Sequence, residues 1–189
     1  VSTPRIMNQG NLSPTEKSYD LAIRGEGFLR VALPDGRTAY TRDGSLDLDS
    51  QGRLVTPEGN LIDPGITIPN NATSVAISNL GVVSALVPGN TQPQQIGVIT
   101  LSRFINKTGL ESIGDNLYLE TAGSGTAIDG APGSEGFGNI QQGYVEDSNV
   151  NAVTEISSLI AAQRAYELNA RVISASDQML NAAAQIFRG

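Results

Sequence analysis

The stretch EDSNVNAVTEISSLIAAQRAYELNA, residues 146–170, decides the fold class, because it predicts a long helix after a region of short strands. No proline or glycine occurs from Asn151 to Phe187, and most residues there are good helix formers. Asn149 or Asn151 can cap this helix, and Glu155 lies favourably near its positive N-terminal end. At 1.5 Å per residue the helix would be about 55 Å long. We therefore expect it to project past a domain of this size.

Large apolar residues recur along this helix every seven residues, at Leu159, Tyr166, Ile173, Leu180 and Phe187. This interval favours left-handed supercoiling against another helix. Exposing such side chains would forfeit roughly 1.5–3 kcal/mol each, so a partner is expected. Ala170 and Val172 widen the stripe, and Ala162 and Ala183 allow close approach. The predicted assembly interface comprises Val153, Ile156, Leu159, Ile160, Tyr166, Ile173, Met179, Leu180, Ile186 and Phe187.

Polar residues of the same helix have two possible roles. Arg164, Glu167 and Arg171 are at helical spacing, so Glu167 can pair with either arginine. They form either a solvated face with weak ion pairs or a set of charges that fixes register and partner choice. Gln163 and Asn169, near the stripe, are also candidates for fixing register.

An alternative to the single helix is two shorter helices folded over the sheet. Residues 174–177, Ser-Ala-Ser-Asp, could mark the break, because Ser and Asp compete locally for backbone hydrogen bonds. We prefer the unbroken helix with intermolecular burial.

The chain before the helix predicts an antiparallel β domain. Short apolar alternations over residues 21–69 are cut by turn signals at residues 34–36, 43–44, 49–52 and 57–59, as in a β-meander. Further strands are predicted at residues 73–78, 81–88, 94–104, 116–121 and 140–146, with an irregular loop at residues 122–139. The predicted organisation is an extended lead-in (1–20), a β-rich outer domain (21–145) and a core-forming helix (146–189). The fold class is mainly β, meander-rich, with a long projecting C-terminal helix.

Composition excludes several function classes. The chain has 189 residues and a net charge of −7, which disfavours nucleic-acid binding because that relies on Lys and Arg. It has no cysteine and no histidine, the usual nucleophile, general base and metal ligands. The sequence has no run of 18 apolar residues, so it does not predict a membrane-spanning helix. We expect no enzymatic activity, no cofactor and no catalytic or metal-binding residue.

One motif nearly matches a calcium loop. Asp47, Asp49, Gln51, Gly52 and Glu58 have the spacing of its positions 1, 3, 5, 6 and 12. The flanks predict strands instead of helices, however, and Asp-x-Asp-x-x-Gly is also typical of a polar strand that enters a turn. We interpret the segment as a hairpin. A calcium-dependent or hydrolytic enzyme and a glycan-binding β-rich adhesin remain alternatives, although an adhesin has no use for the long heptad helix.

Several long motifs resemble the bacterial flagellar rod and hook family. They are LAIRGEGFLRV (21–31), AYTRDGSLDLDSQGRLVTPEGNLI (39–62) and QGYVEDSNVNAVTEISSLIAAQRAYELNARVISASDQML (142–180). NQGNLSPTEKSYDLAIRGEGF (8–28) and LSRFINKTGLESIGDNLYLET (101–121) are most similar to the distal rod members of the family. The alternative within the family is another rod or hook protein, although no large insertion of the hook type is present.

The resemblance implies a structural axial protein of the flagellar basal body. It would assemble with copies of itself and with neighbouring rod and hook proteins into the distal rod, which crosses the periplasm and transmits torque from motor to hook. It would be exported unfolded by the flagellar type III apparatus, without a cleaved signal peptide. Family members begin with a helix carrying an Asn-Asn-Leu-Ala-Asn-type motif, which pairs with the C-terminal helix. We therefore expect a fragment that lacks this partner helix.

Overall fold

The computed structural model describes residues 7–89 and 92–186, with helix side chains described as far as Ser176 and at Gln178 and Met179. The chain divides into two compact units, Val1–Asn149 and Val150–Gly189. We refer to them as the β unit and the helical unit.

The strands of the β unit are short, and a 3-10 turn, Lys107–Gly109, lies among them. In chain order the strands are β1 (Leu12–Pro14), β2 (Leu21–Arg24), β3 (Phe28–Ala32), β4 (Thr38–Thr41), β5 (Asp47–Leu48), β6 (Leu54–Val55), β7 (Leu61–Asp63), β8 (Ser74–Ile77), β9 (Val82–Leu86), β10 (Gln94–Val98), β11 (Leu101–Arg103), β12 (Glu111–Gly114), β13 (Leu117–Leu119), β14 (Ile128–Gly130), β15 (Asn139–Gln142) and β16 (Tyr144–Glu146).

The main sheet is antiparallel and has the order β12-β13-β4-β3-β7-β6-β5, with β14 joined through β11 to β3. Strand β3 is central: Leu29 pairs with Thr41 on one side and with Leu101 on the other. Three smaller sheets pair β10-β9-β8, β15-β2 and β1-β16. Hairpins link β5, β6 and β7 as a meander predicts, whereas the β3–β7 and β4–β13 pairs join distant segments. The predicted fold class, mainly antiparallel β with a long C-terminal helix, is confirmed.

Side chains alternate across β3 and so supply two cores. Leu29 and Val31 are fully buried in the larger cluster, together with Ile62 from β7. Phe28 points into a smaller aromatic cluster, where it meets Phe104 edge to face at a centroid distance of 5.8 Å. Successive residues of a strand point to opposite faces, so one short strand stabilises both layers.

Several strand predictions differ from the structure. The predicted loop at 122–139 contains β14, which pairs with β11. The predicted strand at 66–69 contributes only one isolated bridge, Arg53 to Thr67. The predicted strand at 140–146 is interrupted at Gly143, whose φ of +73° is left-handed and favours glycine. Strand β1 lies within the lead-in and pairs with β16. In each case the deciding partner is distant in sequence.

The helical unit contains one continuous helix, α1 (Ala152–Ile186). Asn151 caps it, because its Oδ1 accepts hydrogen bonds from the backbone N–H groups of Val153 at 3.1 Å and Thr154 at 3.3 Å. The alternative of two helices broken at 174–177 is wrong. The Ser174 hydroxyl donates to the Ala170 carbonyl at 3.0 Å, so its local hydrogen bond is made within the helix. Across the described residues, no helix combines the length and apolar character that a bilayer crossing requires.

Candidate assembly interface

The helix leaves its large apolar side chains exposed. Leu159 is 59% exposed, Tyr166 78% and Ile173 63%. Val153, Ile156, Ile160 and Met179 of the predicted interface are exposed as well. The side chains of Leu180 and Ile186, and Phe187 as a whole, lie outside the described residues. A helix that displays so much apolar surface is typical of an element that is buried on association.

Two lines of apolar residues lie on opposite sides of the helix, and three further exposed apolar residues lie between them, about 60–120° from Leu159: Val153, Ile156 and Ile160. At about 100° per residue, Leu159, Tyr166 and Ile173 lie within about 40° of one another. Leu168 and Met179 lie about 180–200° from Leu159 by the same geometry, and both are exposed. Val172 falls beside them and is also exposed. Leu168 was missed because the seven-residue interval selects one side of the helix only.

The predicted polar residues also lie on the helix surface. Arg164, Glu167 and Arg171 are exposed, and within the described part of the chain none of them forms an ion pair. The pairing of Glu167 with either arginine is therefore not formed. Gln163 and Asn169 are exposed too. Their role in setting register stays a prediction.

The calcium-like segment forms the hairpin between β5 and β6. The Asp49 carboxylate accepts hydrogen bonds from the backbone N–H groups of Gln51 and Arg53 at 2.8 and 2.9 Å, and pairs with the Arg53 guanidinium at 2.7 Å. The backbone N–H of Arg53 is the main cause that lowers the pKa of Asp49. Asp47 lies 3.7 Å from the Lys17 ammonium. Among the described residues, no three acidic side chains are grouped as metal ligands would be.

Arg42 and Glu146 form the best-connected ion pair of the β unit. Arg42 follows β4, and Glu146 ends β16, the last strand before the helix. The Arg42 Nε and Nη2 groups donate to Glu146 Oε2 at 2.9 and 2.7 Å. The two side chains are only 20% and 12% exposed. Sequence reasoning missed this pair because its members are 104 residues apart and no motif spacing connects them.

A cleft of about 400 Å³ lies beside this ion pair. Its walls include Phe28, Asp43, Asn116 and Tyr118. Asn116 donates to the Asp43 carboxylate at 2.9 Å, so two of the polar groups in the wall pair with each other.

Two family models match the chain. Residues 22–85 match the flagellar hook protein FlgE/F/G D1 domain. Residues 141–186 match the C-terminal region of the flagellar basal body rod FlgEFG proteins. The first match covers nearly all of β2–β9, and the second covers β16 and α1.

Curated relatives match over nearly the whole chain. The flagellar basal-body rod protein FlgG of Caulobacter vibrioides is 53% identical over 98% of this chain and 71% of its own length. FlgG of Borreliella burgdorferi is 47% identical over 100% of this chain and 72% of its own length. The flagellar hook protein FlgE of Salmonella typhimurium is 42% identical, but over 60% of this chain and 28% of its own length. The likeness to the rod proteins is therefore much more extensive than the likeness to the hook protein.

Proposed function

This chain belongs to the FlgG family of flagellar basal-body rod proteins, and on that premise we propose that it assembles with copies of itself into the distal rod. It is a structural axial protein of the bacterial flagellum. The rod is a shaft, so the requirement on each subunit is a stiff contact with its neighbours. We propose that this requirement, and no catalytic one, accounts for the composition of the chain.

The two apolar lines on α1 support assembly most directly. One neighbour can bury the surface of a helix with one apolar stripe, whereas a helix that is apolar on opposite sides needs a neighbour on each side. Leu159, Tyr166 and Ile173 would contact one neighbouring helix, and Leu168 and Val172 would contact another. The predicted interface also includes Leu180, Ile186 and Phe187, whose side chains lie outside the described part of the chain. A helix surrounded in this way belongs in the core of a tube of subunits.

Three charged residues of α1 suit a role in register. Within the described residues Arg164, Glu167 and Arg171 form no ion pair, so their charges can pair with those of a neighbour. Opposite charges across a helix contact select one alignment over its alternatives. We propose that these three residues, with Gln163 and Asn169, set the axial position of each subunit.

The β unit is proposed to form the outer layer of the rod. An open helical polymer requires head-to-tail contacts between different patches of each subunit. Lateral contacts of this kind between β units would carry torque from motor to hook. We further propose that neighbouring rod and hook proteins cap the two ends, that the flagellar export apparatus delivers the chain unfolded, and that the rod crosses the periplasm.

Deleting the gene in a flagellated bacterium tests this function. Basal bodies purified from the deletion strain and imaged by electron microscopy should carry a shortened rod, and the full-length gene should restore rod length. Deletion of an unrelated flagellar gene that acts outside the rod is the control. Rods of full length in the deletion strain would contradict the proposal.

A further inference from the structure

The first and last described strands of the β unit form a two-stranded ribbon. Strand β1 pairs with β16, so that Leu12 faces Glu146 and Pro14 faces Tyr144. The pairing continues beyond the strands, because the Asp147 N–H donates to the Asn11 carbonyl at 2.8 Å. We call residues 8–14 and 144–149 the ribbon. Its second strand leads directly into the residues that precede α1.

A two-stranded ribbon is marginally stable by itself, so it depends on its attachments. The Gln9 amide attaches the first strand to β2, donating to the Ile23 carbonyl at 2.8 Å and accepting from the Gly25 N–H at 3.1 Å. The Gly143 N–H attaches the second strand by donating to the Asp20 carbonyl at 2.7 Å. These bonds hold the ribbon at its sides. At its exit end the Asn149 amide joins the two strands by donating to the Asn8 carbonyl at 2.9 Å, and a further attachment links Glu146 to the sheet.

Arg42 supplies that attachment by joining three segments of chain. Besides its two bonds to Glu146, it donates to the carbonyls of Ile23, Gly25 and Gly27 at 3.1, 3.0 and 2.9 Å. The second carboxylate oxygen of Glu146 accepts from the Gly10 N–H at 2.8 Å. Each oxygen of the carboxylate is therefore used, one toward the sheet and one toward the first strand of the ribbon.

We propose that Arg42 and Glu146 are a positioning pair that clamps the ribbon onto the sheet. The clamp fixes the place where the chain leaves the β unit, so that a force on residues 147–149 reaches the sheet through side chains as well as through the backbone. Its importance for torque rests on the proposed rod function. The clamp itself is a property of the single chain and is testable without assembly.

The hydrogen bonds made by residue 42 require an arginine side chain. Five donors in a planar fork reach one carboxylate and three carbonyls at once, which the three donors of a compact ammonium cannot do. Because both side chains are mostly buried, solvent screens the pair weakly compared with exposed ion pairs. Arg42→Lys keeps the charge and loses the fork, whereas Glu146→Gln keeps the shape and loses the charge.

Hydrogen exchange of single amides by NMR on the full chain tests the clamp. The reporters in the ribbon are the amides of Gly10 and Asp147, and the reporters in the core are those of Leu54 and Ile99, which donate to the Ile66 and Gly81 carbonyls. In both variants the ribbon amides should exchange about ten to a hundred times faster, consistent with a lost charged hydrogen bond. The core amides should keep their wild-type rates.

Two further variants complete the experiment. Arg37→Lys is the matched control, since Arg37 also pairs with a carboxylate, that of Asp35, but on the exposed β3–β4 turn; it should leave the ribbon rates unchanged. In the double variant Arg42→Lys/Glu146→Gln, the ribbon amides should exchange at nearly the same rate as in the more affected single variant, because both changes break the same contact. The proposal would be overturned if the exchange rates of the ribbon amides were unchanged in the single variants, or if core and ribbon amides were accelerated equally. It would also be overturned if the two single accelerations multiplied in the double variant. If the exchange experiment gave the expected rates but the gene-deletion strain still made full-length rods, only the proposed function would be contradicted.

Discussion

Replacing Ile173 with aspartate separates assembly from folding. Ile173 belongs to the first apolar line and is 63% exposed in the single chain. Burying a side chain of this kind completely contributes about 1.5–3 kcal/mol. The exposed two-thirds of Ile173 would therefore contribute about 1–2 kcal/mol to each helix contact. Aspartate removes this contribution and places a charge in the contact.

The charge increases the effect. Removing a carboxylate from water without a partner costs several kcal/mol even after relaxation, so the total penalty is about 4 kcal/mol or more per contact. Since about 1.4 kcal/mol corresponds to a factor of ten, the contact should weaken by roughly a thousandfold or more. In the single chain the side chain stays in water, and the cost is limited to a few tenths of a kcal/mol of helix propensity.

The assay compares Ile173→Asp with Gln178→Asp in a flagellated bacterium. Gln178 is exposed, lies about 140° around the helix from Ile173 and belongs to neither apolar line. It therefore receives the same new charge five residues away without replacing an apolar side chain. Electron microscopy of basal bodies should show no distal rod for Ile173→Asp and normal rods for Gln178→Asp. Circular dichroism of both purified chains should match the wild type. Normal rods in Ile173→Asp, or equal loss in both variants, would refute the reasoning.

Three further changes probe the helix cap, a turn and the core. Asn151→Ala should lower the stability of α1 by about 0.5–2 kcal/mol, measured as lost far-UV dichroism, whereas Asn151→Asp should retain the cap. The pKa of Asp49 is lowered in the fold, so its stabilisation is present above its unfolded pKa and is lost as pH falls through the folded value. The urea midpoint of Asp49→Asn should therefore fall less than that of the wild type below about pH 4. Ile62→Ala should cost about 2–5 kcal/mol in urea unfolding, because Ile62 is fully buried. Ile105→Ala, at an exposed site, should be close to neutral.

The features that the sequence predicted are those encoded locally. The helix could be located because its signals, the Asn151 cap and an uninterrupted run of helix formers, lie within one segment. The hairpins of β5, β6 and β7 could be predicted because each turn carries its own glycine. Asp49 illustrates the same point: its turn is built from the residues that immediately follow it, and the hairpin interpretation of the calcium-like motif is confirmed.

The features that escaped prediction depend on distant pairs. Strand β14 lies in a glycine-rich stretch, and only its pairing with β11 makes it a strand. Strand β3 pairs partly with β7 and partly with β11, and no local pattern indicates where one partner replaces the other. Arg42 and Glu146 were missed for the same reason. Each is an ordinary charged residue in its own segment, and the contact arises only after the sheet has formed.

The two units differ in what can stabilise them. The β unit buries its own clusters around Leu29 and Phe28, so its folding free energy is largely internal. The helix, with Tyr166 and Leu168 exposed on different sides, gains little from its own contacts, and an isolated helix owes most of its stability to the surface that covers its apolar face. Changes in the helix should therefore alter assembly at constant β-unit stability, while changes at Arg42 should alter the attachment of the ribbon at constant helix affinity. A double variant of Ile173 and Arg42 should show both defects without coupling between them, because each residue belongs to a different compact unit.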